Sequence, residues 1–400
     1  MQKTAPKSLG EVRAFLSDRL GLRGPFWRAA ESMDRAVDLG MIQIDSIIRT
    51  GLRNHEIVWV ARSDAPVSDF YKMVYGERRM LETHYPIFAT RRDWLPQFLQ
   101  DFHKAVEGSM HFEELKPVKR KLIKQILGNG PVSPGELEAE RIIGGFNTVK
   151  ATTKALEHLF YEGKVQVSGR TKNFHRQFDV TEHVAPELLK HPRFKKADHD
   201  RFMVESAIGV LKIASRNQLA QRVNHHYGNW RGPGLPESRK LVDRYAKEGL
   251  LEPITVRTDD GEQTWFTLAK DHAAWETSAK KVDDRVRLVA PLDNLLFNRD
   301  RFTQLYGFTY KFEAYTPVRQ RRFYFALPIL WKDDVVGLID GKRENGKWLV
   351  TGLDLTKPID PDALRAGVHR FARIAGAEKV AAGRKVAEKW RRSLSGKIES

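Results

Sequence analysis

The spacing of apolar residues changes from helical to strand-like within residues 117–180. This pattern predicts a helix over 117–127, a short second helix beginning at Ser133, a third over 148–161, and two strands around a basic turn at 169–173. The run Gly128-Asn129-Gly130-Pro131 ends the first helix, and Gly163 ends the third. Helix, turn, helix, helix and hairpin is the order of elements in a winged helix.

The same order is repeated farther along the chain with little sequence identity. Helices are predicted over 202–213, 215–223 and 236–248, followed by a hairpin over 250–268 with an Asp260-Gly261 turn. Glu162-Gly163 and Glu248-Gly249 occupy matching places at the ends of the third helices. Two successive copies with matching stops indicate a repeated architecture.

Less regular patterns flank these copies. Amphipathic helices over 9–20 and 27–39, then an extended stretch at 41–45, predict a degenerate third unit. Strand-like runs such as 311–317 and 321–330, with turns at Asp333-Asp334 and Asn345-Gly346, predict a small β-barrel or curled sheet within 287–354, and the tail from Pro361 to Ser400 is predicted to be helical and basic.

The predicted fold class is therefore α+β, mainly helical, with tandem winged-helix units, two clear and one degenerate, followed by a β-barrel-like sheet and a C-terminal helix. A length of 400 residues requires several cores. The predicted divisions are an N-terminal region 1–115 with the catalytic motif, winged helices 116–190 and 198–275, a β-barrel-like domain 284–356 and a basic segment 357–400.

The charge balance indicates a polyanionic partner. Lys and Arg total 68 against 51 acidic residues, a formal net charge of +17, and nucleic acid fits this surplus. An anionic membrane would fit it too, but no stretch approaches the roughly 20 apolar residues of a spanning helix. Because the N-terminal residues do not resemble a secretory signal, we expect a cytoplasmic, nucleoid-associated protein. We also expect a monomer.

The composition also excludes several kinds of site. The chain has no cysteine, which excludes disulfides, a cysteine nucleophile, cysteine-ligated zinc and iron–sulfur clusters. No phosphate-binding glycine loop, metal-ligand cluster or Ser/His/Asp pattern stands out, so we expect no metal, no cofactor and no bound nucleotide. No lysine is singled out as a Schiff-base nucleophile, which favours base release without strand cleavage.

One short stretch carries candidate chemistry. In the run from Gly40 to Ser46, strand alternation buries Ile42 and Ile44 and places Gln43 and Asp45 on the other face. An amide and a carboxylate then lie side by side. Taken alone, the pair is also explained by an exposed strand or a helix cap, since Asp is a common cap residue.

This stretch, LGMIQIDSI followed by Arg53-Asn54-His55, resembles the glutamine–hydrophobic–aspartate motif of the winged-helix interstrand-crosslink DNA glycosylases, the YcaQ-like family. The block LYGFTYKFEAYTPVRQRRFYFALPIL, with VVGLIDGK, is similar to the C-terminal signature of that family, so the resemblance covers most of the chain. The chain departs from the family at Glu82-Thr83-His84-Tyr85-Pro86, where the family often has Trp-Ala-His-Glu.

The resemblance implies a monofunctional DNA glycosylase, without AP-lyase activity, that cleaves the N-glycosidic bond of N7-alkylated purines and unhooks crosslinks in duplex DNA. Gln43 and Asp45 take the catalytic positions. An N7-alkylated purine already carries a positive charge, so it leaves without protonation. Catalysis must then stabilise the sugar, which gains oxocarbenium character as the bond breaks. A carboxylate can stabilise this positive charge and can also take a proton from the attacking water.

Basic residues are candidates for phosphate contact, each with a structural alternative. Arg53 and His55 either orient the sugar-phosphate or form a partly buried structural pair. The remaining candidates contact phosphate or lie on solvated surfaces. They are Lys150, Lys154, Arg170, Lys172, Arg176, Arg319, Arg321 and Arg322.

A second class of function remains open from the sequence. A non-catalytic winged-helix regulator or architectural protein would keep the fold without using the motif. Such a protein usually brings an effector domain or a dimerisation helix, and neither is evident. An acidic residue within a basic surface favours the enzyme.

Overall fold

The computed structural model describes residues 5–83, 87–107, 111–143, 148–190, 193–226, 232–279 and 284–399. The chain forms two compact units, one of Met1–Phe70 with Met203–Ser400 and one of Tyr71–Phe202. The predicted N-terminal region 1–115 therefore contributes to both units. His84, Tyr85 and Pro86 of the divergent segment lie outside the described residues. No helix among the described residues is long and apolar enough to cross a membrane.

The described α-helices are α1 Leu9–Arg19, α2 Ala29–Val37, α3 Asn54–Val60, α4 Val67–Tyr71, α5 Leu95–Glu107, α6 Lys116–Asn129, α7 Ala151–Tyr161, α8 Thr181–Val184, α9 Lys196–Leu211, α10 Arg216–His226, α11 Leu235–Lys247, α12 Ala274–Ala279, α13 Arg299–Tyr306, α14 Pro361–Ile374 and α15 Glu388–Leu394. The strands are β1 Lys7–Ser8, β2 Met41–Gln43, β3 Met80–Glu82, β4 Phe88–Arg91, β5 Arg141–Ile143, β6 Thr148–Lys150, β7 Val165–Arg170, β8 Arg176–Val180, β9 Ala214–Ser215, β10 Leu251–Thr258, β11 Gly261–Leu268, β12 Arg287–Leu288, β13 Leu327–Trp331, β14 Asp334–Glu344, β15 Lys347–Leu355, β16 Lys379–Ala382 and β17 Gly396–Lys397.

In the first unit, one sheet joins the N-terminus to the second predicted repeat. The hairpin of β10 and β11 pairs with β9 on one edge and, in parallel, with β1 on the other. Phe15 of α1 stacks on Trp275 of α12, with ring centroids 4.1 Å apart. Gly249 follows α11 with a φ of +76°, the left-handed conformation that its place as a helix stop predicts.

The second sheet of this unit is a curled C-terminal sheet in the order β12-β13-β14-β15-β16-β17. The tail from Pro361 was expected to be only helical, and this was wrong. After α14 it supplies β16, which pairs in parallel with β15, and then β17. Val380 and Leu394 are buried, so apolar residues within the basic tail complete the core of the sheet.

The second unit packs α7 against α5 and α6 and carries the hairpin of β7 and β8. Gly163 follows α7 with a φ of +69°. The second helix expected at Ser133 is only a single 3-10 turn, Pro134–Glu136. The third was expected from Thr148, but Thr148–Lys150 is strand β6, paired with β5, because Thr and Val favour extended backbone and the partner strand is available.

The sequence also predicted strands over 311–317 and 321–330, and only the end of the second is a strand, β13. Residues 311–326 form turns instead. Pro317 has no N–H to donate to a sheet, and the Glu313 carboxylate accepts the backbone N–H groups of Arg322 and Phe323. The turn after β13 is Lys332-Asp333, both with positive φ, one residue earlier than expected.

Candidate active site

The glutamine–isoleucine–aspartate stretch spans the end of β2 and the loop after it. Ile42 and Ile44 are buried, while Gln43 and Asp45 are half-buried. The alternation predicted from the sequence is therefore present. Residues two apart on an extended chain point the same way, so this alternation agrees with the common face expected for the amide and the carboxylate.

Asn54 fixes the backbone of this stretch. Its side chain is fully buried at the first position of α3. The Asn54 amide nitrogen Nδ2 donates to the carbonyl of Gln43 at 2.9 Å, and its oxygen Oδ1 accepts from the backbone N–H of Leu292 at 2.9 Å. One side chain thus joins the candidate catalytic strand to a distant segment of the same unit.

The Asp45 carboxylate is only partly engaged by the protein. Its Oδ1 accepts the backbone N–H of Ile47 at 2.8 Å, which shapes the loop. Helix α3 begins nine residues later and is capped by Arg53 and Glu56, so Asp45 is not a helix cap. Within the described part of the chain, no Lys, Arg or His forms an ion pair with Asp45. Its second oxygen is available to a substrate.

The loop that carries Asp45 rests on the C-terminal sheet. The backbone N–H of Arg343 donates to the carbonyl of Arg49 at 3.0 Å. Gly51 adopts a φ of +90°, and a Cβ there would lie 2.8 Å from the Ala375 carbonyl. Only glycine fits both the conformation and the close approach, so the loop is held in one position.

A largely buried polar segment, residues 293–301, directly follows Leu292, whose N–H donates to Asn54. The sequence did not predict that this segment is buried. Asp293 forms a bidentate ion pair with Arg62, with both side chains fully buried. Asn294 donates to the carbonyl of Leu39, and Arg301 donates to the carbonyls of Leu211 and Ile213. The cluster of polar residues in the run from Asp293 to Arg301 was the available signal, but polar residues normally indicate an exposed loop.

An aromatic surface adjoins the Asp45 loop. The Arg49 guanidinium lies over the Tyr324 ring at 4.7 Å, and that of Arg321 lies over the same ring at 4.8 Å. Tyr315 is 81% exposed. Partial burial raises the pKa of the Tyr315 hydroxyl, and the Asp45 carboxylate and Tyr324 raise this pKa further. Tyr315 therefore lies within electrostatic reach of Asp45 and keeps its proton.

Of the two basic candidates predicted directly after the motif, Arg53 and His55, neither offers a free cation. Arg53 caps α3, and its guanidinium lies 3.3 Å from Glu56. The His55 side chain has no exposed surface and packs 5.1 Å from the Phe70 ring. Burial favours the structural alternative for His55, because a ring without exposed surface does not reach a phosphate.

The three arginines of the C-terminal block lie in the same unit as the motif but differ in engagement. Arg319 is exposed. Arg321 lies over Tyr324, and Arg322 pairs with Asp354 at 2.6 Å. The structure thus links Arg321 to the Asp45 loop through the Tyr324 ring that it shares with Arg49.

The other basic candidates lie in the unit of residues 71–202. Lys150 donates to the carbonyl of Leu137, and Lys154 pairs with Glu157 at 3.0 Å. Burial lowers the pKa of Arg176, which lies over the Phe178 ring.

Within the predicted wing, two cations have different surroundings. The Arg170 guanidinium is nearly buried and forms two hydrogen bonds with Glu82, at 2.9 and 2.6 Å. Lys172 is exposed at the turn of the hairpin. Arg170 therefore has a structural partner, whereas the Lys172 side chain is exposed to solvent.

Comparisons with known proteins bear on the family and the fold. Residues 37–374 match the sequence model of a family described as DNA glycosylase AlkZ-like. The structure is similar to that of the Streptomyces sahachiroi DNA glycosylase AlkZ, with a TM-score of 0.60 and 12% identity, over 95% of this chain and 100% of that one. At this identity the structural likeness shows a shared fold.

Proposed function

The chain belongs to the AlkZ-like DNA glycosylase family, and from this premise we propose that it hydrolyses the N-glycosidic bond of N7-alkylated purines in duplex DNA, including crosslinked ones. The single observation that carries the proposal is the half-exposed Asp45 carboxylate, which has one oxygen held by the Ile47 N–H and the other available. We propose a monomer that leaves an abasic site and does not cut the strand.

The reaction assigns separate work to the two motif residues. As the bond between C1′ and the purine nitrogen breaks, its electron pair moves to the base and neutralises the charge introduced by alkylation. The free Asp45 oxygen stabilises the positive charge that develops on the sugar and takes a proton from the water that attacks C1′. The Gln43 amide, with two donors and one acceptor, orients that water without adding charge.

We further propose that the helix-and-hairpin segments within 116–190 and 198–275 each act as a winged helix that binds duplex DNA. Each has a helix that a Glu-Gly pair terminates, followed by a two-stranded hairpin. The first hairpin presents the exposed Lys172. Phosphate contacts of this kind position a protein on DNA without reading its sequence.

The test incubates the protein with duplexes that contain N7-methylguanine or a nitrogen-mustard crosslink and measures abasic sites under single-turnover conditions. We expect Asp45→Asn to slow release by about 10³-fold and Gln43→Ala by about 10- to 100-fold, since a positioned base and a charge-stabilising group each contribute factors of this order. The control is Asp362→Asn, which removes an exposed carboxylate from the first turn of α14.

Two results would contradict the proposal in different ways. If the wild type binds duplex DNA but releases no base from either lesion, the non-catalytic DNA-binding alternative replaces the enzyme. If the wild type is active and Asp45→Asn and Gln43→Ala are equally active, the family activity stands and the site assignment is wrong. Strand cleavage without alkali treatment would refute the absence of lyase activity.

A further inference from the structure

Exposed large apolar side chains of the first unit lie in the Asp45 loop and in the turns of 311–326, and the contact of Arg49 with the Tyr324 ring joins these two segments. Within the described residues of this unit they are Ile48, Tyr315 and Val318, with exposures of 49, 81 and 73%. Ile48 lies in the Asp45 loop, and the other two lie in the neighbouring turns of 311–326. Exposed apolar side chains on two joined segments, one of which carries a candidate catalytic carboxylate, favour a binding site there.

The Tyr315 ring is exposed, yet its backbone is held firmly. The N–H of Thr316 donates to the carbonyl of Glu313 at 2.9 Å, and the Glu313 carboxylate accepts two further backbone N–H groups. The Phe312 ring meets Tyr315 edge-on at 6.1 Å and packs against the buried Phe325 at 5.7 Å. The protein thus places a large apolar ring in solvent on a rigid support.

The neighbouring Tyr324 shows why the exposed ring is unusual. Two guanidinium groups, those of Arg49 and Arg321, lie over the Tyr324 ring. Over the Tyr315 ring, the described residues place no Lys or Arg. Its electron-rich face is therefore available to a cation from outside, and the unpaired Asp45 carboxylate adds negative potential close by.

From this arrangement we propose that Tyr315 stacks on the alkylated purine and recognises its positive charge, with Ile48 and Val318 as apolar neighbours of the stacked base. The inference rests on the proposed function and deepens it, because it makes the cationic character of the lesion the property that is recognised. Asp45 then acts at C1′ of the nucleotide whose base Tyr315 holds. Neutral damaged purines gain less from this ring and bind more weakly.

The test separates stacking on a cation from simple apolar contact. Tyr315→Phe keeps the aromatic face, whereas Tyr315→Leu keeps apolar bulk without it. The probe is a duplex with 2′-fluoro-N7-methylguanosine, whose fluorine resists loss of the base, and the reference is the undamaged duplex. We expect Tyr315→Phe to bind the lesion within about two-fold of the wild type, and Tyr315→Leu about 5- to 30-fold more weakly.

Undamaged duplex should bind both variants as it binds the wild type. The proposal is overturned if Tyr315→Leu binds the lesion as tightly as the wild type, if Tyr315→Phe loses as much as Tyr315→Leu, or if the wild type does not prefer the lesion at all. Because binding to the fluorinated probe requires no catalysis, these outcomes are distinct from a failure of base release by the wild type on ordinary N7-methylguanine.

Discussion

Arg62 and Asp293 form a fully buried ion pair. The pair joins the end of α3 to the segment that follows Leu292, whose N–H donates to Asn54. The guanidinium meets the carboxylate through two hydrogen bonds, of 2.7 and 2.8 Å. The other guanidinium donors reach the carbonyls of Leu20 and Val58. Asp293→Asn keeps the shape of the side chain, removes its charge and replaces one of its two acceptor oxygens, so it removes the ion pair together with one of its hydrogen bonds.

The loss in free energy of unfolding expected for Asp293→Asn follows from the burial of both partners. Two unit charges about 4 Å apart attract by about 4 kcal/mol at the effective dielectric constant of about 20 that suits protein interiors. Removal of one charge leaves the Arg62 guanidinium uncompensated in the core, and such losses amount to about 3–5 kcal/mol. The double variant Arg62→Met/Asp293→Leu should recover part of this loss, because it removes both charges. The recovery is incomplete, since the carbonyls of Leu20 and Val58 and the N–H of Leu295 lose these hydrogen bonds.

The free energy of unfolding is measured by urea denaturation of the full chain. The control is Glu262→Gln, which breaks an exposed pair with Arg257 at 3.8 Å and should cost less than about 1 kcal/mol. If Asp293→Asn costs as little as this control, the pair does not stabilise the fold as its burial implies. If the double variant is less stable than Asp293→Asn, the uncompensated charge is not the cause of the loss.

Two further predictions concern charge elsewhere in the chain. Burial lowers the pKa of Lys212 to about 8, so between pH 8 and 10.5 the unfolded chain binds the proton and the folded chain does not. The free energy of unfolding, measured by urea titration relative to Lys212→Met, should therefore rise with pH across this window. A difference that does not change with pH would refute the burial effect. In the predicted wing, Lys172→Ala should lower the slope of log K for DNA against log salt by about 0.9, while Arg170→Ala, which breaks the pair with Glu82, should destabilise the fold with less change in slope. Equal slopes for the wild type and Lys172→Ala would exclude Lys172 as a phosphate contact.

Short-range patterns predicted most helices and the geometry of the motif. The alternation of Ile42, Gln43, Ile44 and Asp45 depends only on the period of an extended chain, and it is present. The helix stops at Gly163 and Gly249 depend only on the freedom of glycine at positive φ. The family was also identified correctly, since its motif and C-terminal block span most of the chain.

Features that depend on distant partners could not be predicted. Thr148–Lys150 reads as the start of a helix, and only the partner strand β5 makes it a strand. The tail reads as a basic helix because β16 is recognisable only beside β15. For His55 the sequence leaves a phosphate contact and a buried structural role open, and the burial of the ring against Phe70 favours the second. In each case the local spacing of residues is compatible with either structure, and contacts with distant residues decide which one forms.

The Asp45 carboxylate combines a structural role and a proposed catalytic one, and the two can be separated by chemistry. Asp45→Asn retains a side-chain oxygen that accepts the Ile47 N–H, so the loop keeps its shape while the charge is lost. Asp45→Ala removes both the acceptor and the charge. If the free oxygen performs the reaction, the two variants should lose base release to a similar extent, and only Asp45→Ala should also weaken binding of the lesion by displacing the loop. A loss of activity in Asp45→Ala with none in Asp45→Asn would mean that the residue serves the loop alone.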